Sequence, residues 1–435
     1  MQVTVEKKEG IVCDLVIEVP FAEVDKEVGS RIQKIAKTAK IDGFRPGKVP
    51  VSFVRKKYGE EVRYEVISDI LPKKYVKAIQ DQKLNAAGVE VDINQNKEGE
   101  NLKFTAHVEL FPEIEVSGLE NIKVEKPAAS VDKEQLDKMI ENLRKQSAEW
   151  NLVEREAKLE DKVNIDFLGK KDGEEFSGGS AKDQDLVLGS GQMIPGFEDG
   201  IIGMSVNEVK SIELTFPEDY QSEDLAGKAV IFEITINSIK EPTLPEVNEE
   251  FAKKFGVDGS VEDFYTEIRT NMNRELKAAI KKVIKEQVFN GLKKENTFDI
   301  PKSLVSSEIK RSKEDLLNRM GGDASKMKLE DIPDNLFEDQ SKARVQLGLI
   351  MRAITEQQKF EATEDDIQVM IDELVAVYDD EKEARDHFLK NERELENIKG
   401  AILENKLVDY ILSLAEVSEK EVDFFDLIKK ASSNQ

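Results

Sequence analysis

Apolar and polar positions alternate with a period of two over residues 2–8 and 11–19, and again over 89–95 and 102–111, which predicts four strands. Between these pairs the period becomes helical. Residues 22–41 place Val24, Val28, Ile32, Ile35, Ala36 and Ala39 on one face, and residues 51–80 do the same with Val54, Tyr58, Val62, Val66, Ile70 and Tyr75. The two helices meet at Gly43-Phe44-Arg45-Pro46-Gly47-Lys48-Val49-Pro50, where glycine permits tight backbone and proline stiffens the turn and breaks both helices, so the loop is expected to project rigidly. Residues 131–149, with Val131, Leu136, Met139, Ile140, Leu143 and Trp150 on one side, read as a linker helix. Strand-like runs at 162–167 and 229–234 then mark a β-rich stretch that holds ten of the 25 glycines between residues 150 and 242. From 243 onward only seven glycines occur, and Phe264, Ile268, Met272, Leu276, Ile280, Val283, Ile284, Val288 and Leu292 recur at helical spacing. Ser260-Val261-Glu262-Asp263 and Thr363-Glu364-Asp365-Asp366 place a hydroxyl before an acidic first turn and are expected to open helices; Pro301, Gly321-Gly322 and Pro333 punctuate the pattern.

The chain therefore reads as a multidomain α+β protein. An N-terminal α+β domain with a helix-loop-helix tip spans 1–115, and a linker including a helix spans 116–149. A β-rich domain occupies 150–242, and a mostly α-helical C-terminal domain occupies 243–435. Charge sharpens this division. The 435 residues carry a formal net charge of -25, yet 1–115 hold 19 basic and 20 acidic residues, so the acidity lies almost wholly beyond the first domain. Uniform attraction to nucleic acid or to an anionic membrane is excluded; any such contact must be local. Cys13 stands alone, and His107 and His387 lie far apart, so no metal or cofactor site is expected. No 18-residue apolar run occurs, and residues 1–20 lack the pattern of a secretory signal, so a cytoplasmic protein without membrane association is expected.

The local exception is the tip. Between Arg31 and Lys57 stand nine basic residues, Arg31, Lys34, Lys37, Lys40, Arg45, Lys48, Arg55, Lys56 and Lys57, against Asp42. A solvated helical face is the ordinary explanation of a charge run. A run of one sign around a stiff loop in an acidic protein fits better with docking on phosphate or on an acidic patch. Phe44 adds an apolar anchor that could also fold back under the loop. Gly43-Phe44-Arg45-Pro46-Gly47-Lys48-Val49-Pro50 resembles the ribosome-docking signature of the bacterial trigger factors, and the order of regions along the chain is similar to that family. The resemblance implies a chaperone at the mouth of the ribosomal exit tunnel on the large subunit. Gly43, Phe44, Arg45, Pro46, Gly47 and Lys48 would form the docking loop, with Phe44, Arg45 and Lys48 against ribosomal RNA and a protein of the tunnel rim. Some members carry a basic residue where Pro46 stands, which shifts weight here to Lys48 and the helix-borne lysines.

The glycine-rich stretch Leu188-Gly189-Ser190-Gly191-Gln192-Met193-Ile194-Pro195-Gly196-Phe197-Glu198-Asp199-Gly200 fits neither phosphate-loop spacing, and residues 150–242 carry 20 acids against nine bases, so phosphate binding is not expected there. With Gly203-Met204 and Phe216-Pro217-Glu218-Asp219-Tyr220, it resembles the FKBP-type prolyl isomerases from about 155 to 240. Rotation about an Xaa-Pro bond passes through a twisted amide over a barrier of about 18–20 kcal/mol and needs neither nucleophile nor proton transfer. An apolar, aromatic-lined pocket that desolvates the amide suffices. By that resemblance Phe167, Phe176, Met193, Ile194, Phe197, Tyr220 and Phe232 would line the pocket, with Phe197 as floor and the Ile194 amide as donor to the substrate carbonyl. The acid that commonly follows Phe176 is Ser177 here, and Phe197 replaces a frequent Trp; activity is expected, tight macrocycle binding is not.

No catalytic constellation marks 243–435: the acidic clusters at 364–366 and 379–381 lack calcium-loop spacing, and His387 has no partner histidine at helical spacing. The family resemblance implies the body and two arms of an open cradle for nascent and unfolded polypeptides, and the absence of any nucleotide motif implies ATP-independent action. Two other readings compete. One is a free prolyl isomerase with a helical client-binding module, which has no use for a basic tip. The other is a nucleic-acid regulator, disfavoured by the surrounding acidity and by the lack of a DNA-binding motif. DNA is not an expected partner; a homodimer off the ribosome is a possible one.

Overall fold

The structure, a computed structural model, describes residues 1–435 apart from 39–43, 45–48, 221, 223, 321–326, 377, 379 and 434–435 and the side chains of Lys7, Lys8 and Ser177. Gly43, Arg45, Pro46, Gly47 and Lys48 of the predicted docking loop, and Gly321 and Gly322, lie outside the described residues. The chain packs as two compact units, Met1–Lys126 with Lys282–Lys420, and Pro127–Lys281 with Glu421–Gln435.

The first region follows the alternation closely. Strands β1 (Gln2–Glu9) and β2 (Val12–Val19) precede helices α1 (Phe21–Thr38) and α2 (Val51–Asp81), and β3 (Ala86–Gln95) and β4 (Leu102–Leu110) complete an antiparallel sheet of order β1-β2-β4-β3. The inner strands bury every second side chain: Cys13, Leu15, Ile17 and Val19 on β2, and Leu102, Phe104, Ala106 and Val108 on β4. Onto this face pack Val24, Val28, Ile32 and Ala36 of α1 and Val54, Val62, Val66 and Ile70 of α2, the positions at which the helical period put them. At about 25 cal/mol per Å² of apolar surface, this core is the main force holding the tip helices in place.

Strand β5 (Lys123–Ala128) leads to α3 (Lys133–Gln146), whose N-cap Asp132 accepts hydrogen bonds from the amides of Glu134 and Gln135. This helix is shorter than its apolar stripe. It ends at Gln146, and Trp150 sits instead in strand β6 (Glu149–Val153), opposite Pro242. Cross-strand pairing there overrides the helical spacing. Strands β7 (Lys162–Lys171), β8 (Glu174–Val187), β9 (Val209–Thr215) and β10 (Ala229–Thr243) complete an antiparallel sheet in the order β6-β10-β7-β8, with β9 also on β10 and the short helix α4 (Phe197–Ile201) between β8 and β9.

Helices follow. They are α5 (Glu249–Lys254), α6 (Val261–Glu295), α7 (Lys302–Met320), α8 (Glu338–Gln358), α9 (Glu364–Val375), α10 (Glu381–Lys390) and α11 (Glu392–Leu412). Strand β11 (Glu416–Glu421) then pairs with β5, and α12 (Phe424–Ser433) closes the order. None is long and apolar enough to cross a membrane among the described residues. Glu109 at the end of β4 accepts the amide of Ser303 in the first turn of α7 at 2.7 Å, so the sheet supplies an acceptor that Pro301, lacking a hydroxyl, does not. The Ser260–Asp263 and Thr363–Asp366 pairs form the reciprocal caps that their spacing predicts.

In the second pair, Asp366 also accepts the Lys406 ammonium of α11 at 2.6 Å, pinning α9 to α11 around a core of Ile371, Val375, Ile398 and Ile402. Lys406 first, then the hydroxyl and amide of Thr363, hold the Asp366 carboxyl at about 2, against an ordinary 3.8. A carboxylate whose folded value is depressed stabilises fully above its unfolded value and stops doing so as pH falls through the folded one. Asp366→Asn should therefore weaken hydrogen-exchange protection of the α9 amides at pH 7. The difference between variant and wild type should shrink below pH 4 and vanish only below about pH 2.

Candidate functional site

The β-rich unit gathers its aromatic side chains on one side of the sheet. Strand β10 buries Val230, Phe232, Ile234 and Ile236 by alternation, and Phe167 of β7 lies opposite Ile234. One step along, Phe232 faces Gly169, and that glycine is a spatial requirement. A Cβ there would stand 2.7 Å from the Phe232 ring and 2.8 Å from the Phe176 ring. On β8, a Cβ at Gly179 would stand 2.7 Å from Phe176 as well, so the ring occupies space that two absent side chains leave.

The rings form a continuous network. Phe197, the first residue of α4, is fully buried and meets Phe232 at 5.2 Å and Phe167 at 5.6 Å between centroids, both edge to face. Phe232 continues to Phe167 and Phe176, each at 6.1 Å, and Phe176 continues to Phe216 at 6.1 Å. Phe216 meets Tyr220 at 4.5 Å, and Tyr220 is 40% exposed. Met193 and Ile194, half-buried on the loop before α4, pack on the same core. All seven residues named from the motif thus come together, from the buried Phe197 to the exposed Tyr220. Edge-to-face contacts of this kind contribute about 0.5–1.5 kcal/mol each beyond burial, which favours a fixed wall over a fluid one.

Such a wall desolvates an Xaa-Pro amide and thereby favours the twisted form, which has lost its resonance dipole. The Ile194 carbonyl is occupied by the amide of Phe197 at 3.1 Å, whereas the Ile194 amide has no hydrogen-bond partner among the described residues. That leaves one donor beside an apolar wall. Gly169, Gly179 and Phe216 were not singled out as site residues by sequence reasoning; Phe216 was within reach as part of the Phe216–Tyr220 motif, while the glycines acquire meaning only from the ring between them.

The tip departs more from its sequence reading. Counting charges along the chain treats nine basic residues as available, but Arg31 is paired with Glu65 at 3.4 Å and with Asp69, and Arg55 is paired with Glu98 at 3.1 Å and with Asp25. These arginines tie α1, α2 and the β3–β4 turn together. Among the described residues, Lys34, Lys37, Lys56 and Lys57 make no ion pair, and the Lys57 ammonium lies 5.3 Å from the Tyr58 ring. Phe44 is half-buried with its ring 5.1 Å from that of Phe53. Of the two placements its sequence left open, it takes the folded-back one.

Three family models align with successive parts of the chain: bacterial trigger factor protein over residues 1–143, FKBP-type peptidyl-prolyl cis-trans isomerase over 153–237, and the C-terminus of bacterial trigger factor protein over 260–413. A trigger factor of Francisella philomiragia is 54% identical over 430 residues, which span 99% of this chain and 98% of its own. The chain belongs to the bacterial trigger factor family. Trigger factors of Francisella tularensis subsp. novicida and of Pseudomonas putida are 52% and 43% identical, over 99% and 100% of this chain and 98% and 99% of their own. A solved structure of the trigger factor chaperone aligns over 95% of this chain and 99% of its own at 17% identity and a TM-score of 0.48, too distant to add weight. As a trigger factor the protein is a chaperone with an FKBP-type peptidyl-prolyl isomerase domain, and the aromatic cluster lies within the segment that aligns with that domain.

Gly169→Ala tests the spatial requirement. Overpacking at this point should cost about 1–3 kcal/mol. Chemical unfolding followed through Trp150, the one tryptophan of the chain and a residue of the same sheet, should show the lower midpoint, together with slower isomerisation of a model Xaa-Pro peptide.

Proposed function

We propose that this trigger factor docks on the large ribosomal subunit beside the exit tunnel, receives nascent and unfolded polypeptides, and isomerises Xaa-Pro bonds in the pocket walled by Phe167, Phe176, Met193, Ile194, Phe197, Tyr220 and Phe232. The observation that carries the isomerase part is the ring network from Phe197 to Tyr220, with the unoccupied Ile194 amide next to it. Phe197 is the floor, and Ile194 supplies the donor to the substrate carbonyl.

Docking is assigned to Gly43, Phe44, Arg45, Pro46, Gly47 and Lys48, flanked by Lys34, Lys37, Lys56 and Lys57. Support comes from the family and from the division of labour among the described basic residues: Arg31 and Arg55 brace α1 and α2, and Lys34, Lys37, Lys56 and Lys57 stay available for phosphate. Ribosomal RNA and a rim protein are the contacts this chemistry suits. We assign residues 1–115 to docking, 116–149 to a linker, 150–242 to isomerisation and 243–435 to client binding. The cytoplasm is the compartment this requires, and a homodimer is the form proposed for the free protein.

Replacing Phe44, Arg45 and Pro46 together by alanine should abolish co-sedimentation with purified ribosomes and leave Xaa-Pro isomerisation unchanged. Binding of the wild type should fall steeply as salt rises, because released counterions drive the contact. Wild-type protein that fails to co-sediment even at low salt refutes ribosome docking and leaves an isomerase with a helical client-binding module. Phe197→Ala should dock normally and lose isomerase activity; a wild-type rate in that variant overturns the pocket assignment.

A further inference from the structure

Glu198 follows the pocket floor in the chain, and its carboxylate is buried at 8% exposure with no cation paired to it among the described residues. An ionised group in that position demands hydrogen bonds, and it has four. One oxygen accepts the amides of Gly189 at 2.6 Å and Gly191 at 3.2 Å; the other accepts the Ser190 hydroxyl at 3.2 Å and the amide of Met193 at 3.3 Å. Burial alone would push this carboxyl up, but the amides of Gly191, Met193 and Gly189 outweigh it and hold it below the usual carboxylate range.

All four donors come from one short segment, the loop that delivers Met193 and Ile194 to the pocket. Two of its residues, Gly189 and Gly191, take left-handed backbone with φ of 91° and 69°, so the segment has little intrinsic preference for this path and needs something to fold around. Helix α4 provides it. Its first residue sends the Phe197 ring into the aromatic cluster, its second sends a carboxylate to the loop, and the Phe197 amide returns a hydrogen bond to the Ile194 carbonyl.

We propose that Glu198 is a positioning residue of the isomerase site: by collecting the amides of Gly189, Gly191 and Met193 it fixes the loop against the Phe197 floor and holds the free Ile194 amide at the pocket rim. This rests on the reading of the aromatic cluster as the isomerase pocket. Glu198 touches no substrate in this scheme and transfers no proton. It gives the loop one geometry before substrate arrives, which is where enzymes gain from preorganised donors.

The test compares Glu198→Gln, Ser190→Ala and Phe197→Ala in the full-length chain, using a model Xaa-Pro peptide and amide and methyl NMR spectra. Glutamine keeps size and shape but turns an NH2 group toward amide donors, so Glu198→Gln should lower kcat/KM by about tenfold or more, while Ser190→Ala, which removes one of the four hydrogen bonds to the carboxylate, should lower it by roughly threefold. In both, the amide signals of Gly191, Met193 and Ile194 should move while the methyl signals of Ile165, Ile234 and Ile236 in the sheet core stay at their wild-type positions. Loss of activity with the core signals displaced as well would reduce Glu198 to a residue of general stability and overturn the proposal. So would wild-type kcat/KM in Glu198→Gln alongside an inactive Phe197→Ala. An active Phe197→Ala instead refutes the pocket reading itself. Should the glutamine variant not fold, Ser190→Ala decides: unchanged activity and an unmoved Ile194 amide refute the positioning role.

Discussion

The aromatic cluster of the β-rich unit depends on space kept free at Gly169 and Gly179. The rings pack edge to face, and that geometry leaves no volume on β7 or β8 for a side chain beside Phe176. With Phe176 seated, Phe232 and Phe216 have an edge to pack against, and the series runs without a break from Phe197 to Tyr220. Close packing explains why this cannot be approximate, since protein interiors yield little to an extra methyl group. A reaction that needs no proton transfer still needs a precise site; the precision here is steric.

The tip relies on a different interaction and shows how far linear charge can mislead. Nine cations near one loop would repel each other strongly if all faced solvent. Glu65 and Asp69 from α2 and Asp25 and Glu98 from other elements lie far away in the chain and neutralise Arg31 and Arg55. Exposed ion pairs of this sort contribute little stability individually. Their use is geometric: Arg31 reaches Glu65 through Nη1 and Asp69 through Nη2, and Arg55 reaches Asp25 and Glu98 through Nη2, so each planar guanidinium ties two acids into one arrangement. Among the described residues of the run, those without an ion pair are lysines, whose ammonium can approach an anion from any direction.

Much of this was legible in the sequence, for reasons that differ by region. The period of two in β2 and β4 and the stripe Val24, Val28, Ile32 and Ala36 located the first core, because burial there obeys local geometry. The caps at Ser260 and Thr363 were legible because both partners lie within four residues. That Phe167, Phe176, Met193, Ile194, Phe197, Tyr220 and Phe232 gather in one cluster was legible only through resemblance, since nothing in their spacing says that β8, α4 and the turn at Tyr220 converge. Trp150 failed the helical reading because its burial is decided by a strand 92 residues away, opposite Pro242. The pairing of Arg31 and Arg55 and the packing of Phe44 on Phe53 are likewise long-range facts with no local signature.

Glu198 shows where the two kinds of legibility meet. Beside Phe197 in the sequence it is one more acid in a domain rich in acids, and an acid in the first turn of a short helix is commonplace. What sets it apart is that its donors are upstream, in a loop whose glycines cannot hold their own path. A helix of five residues thereby serves two masters, placing an aromatic floor and an anionic staple on adjacent residues about 100° apart around its axis. Lys34, Lys37, Lys56 and Lys57 belong to another compact unit and share no residue with this arrangement. With no partner in common, substitutions in the two places should add.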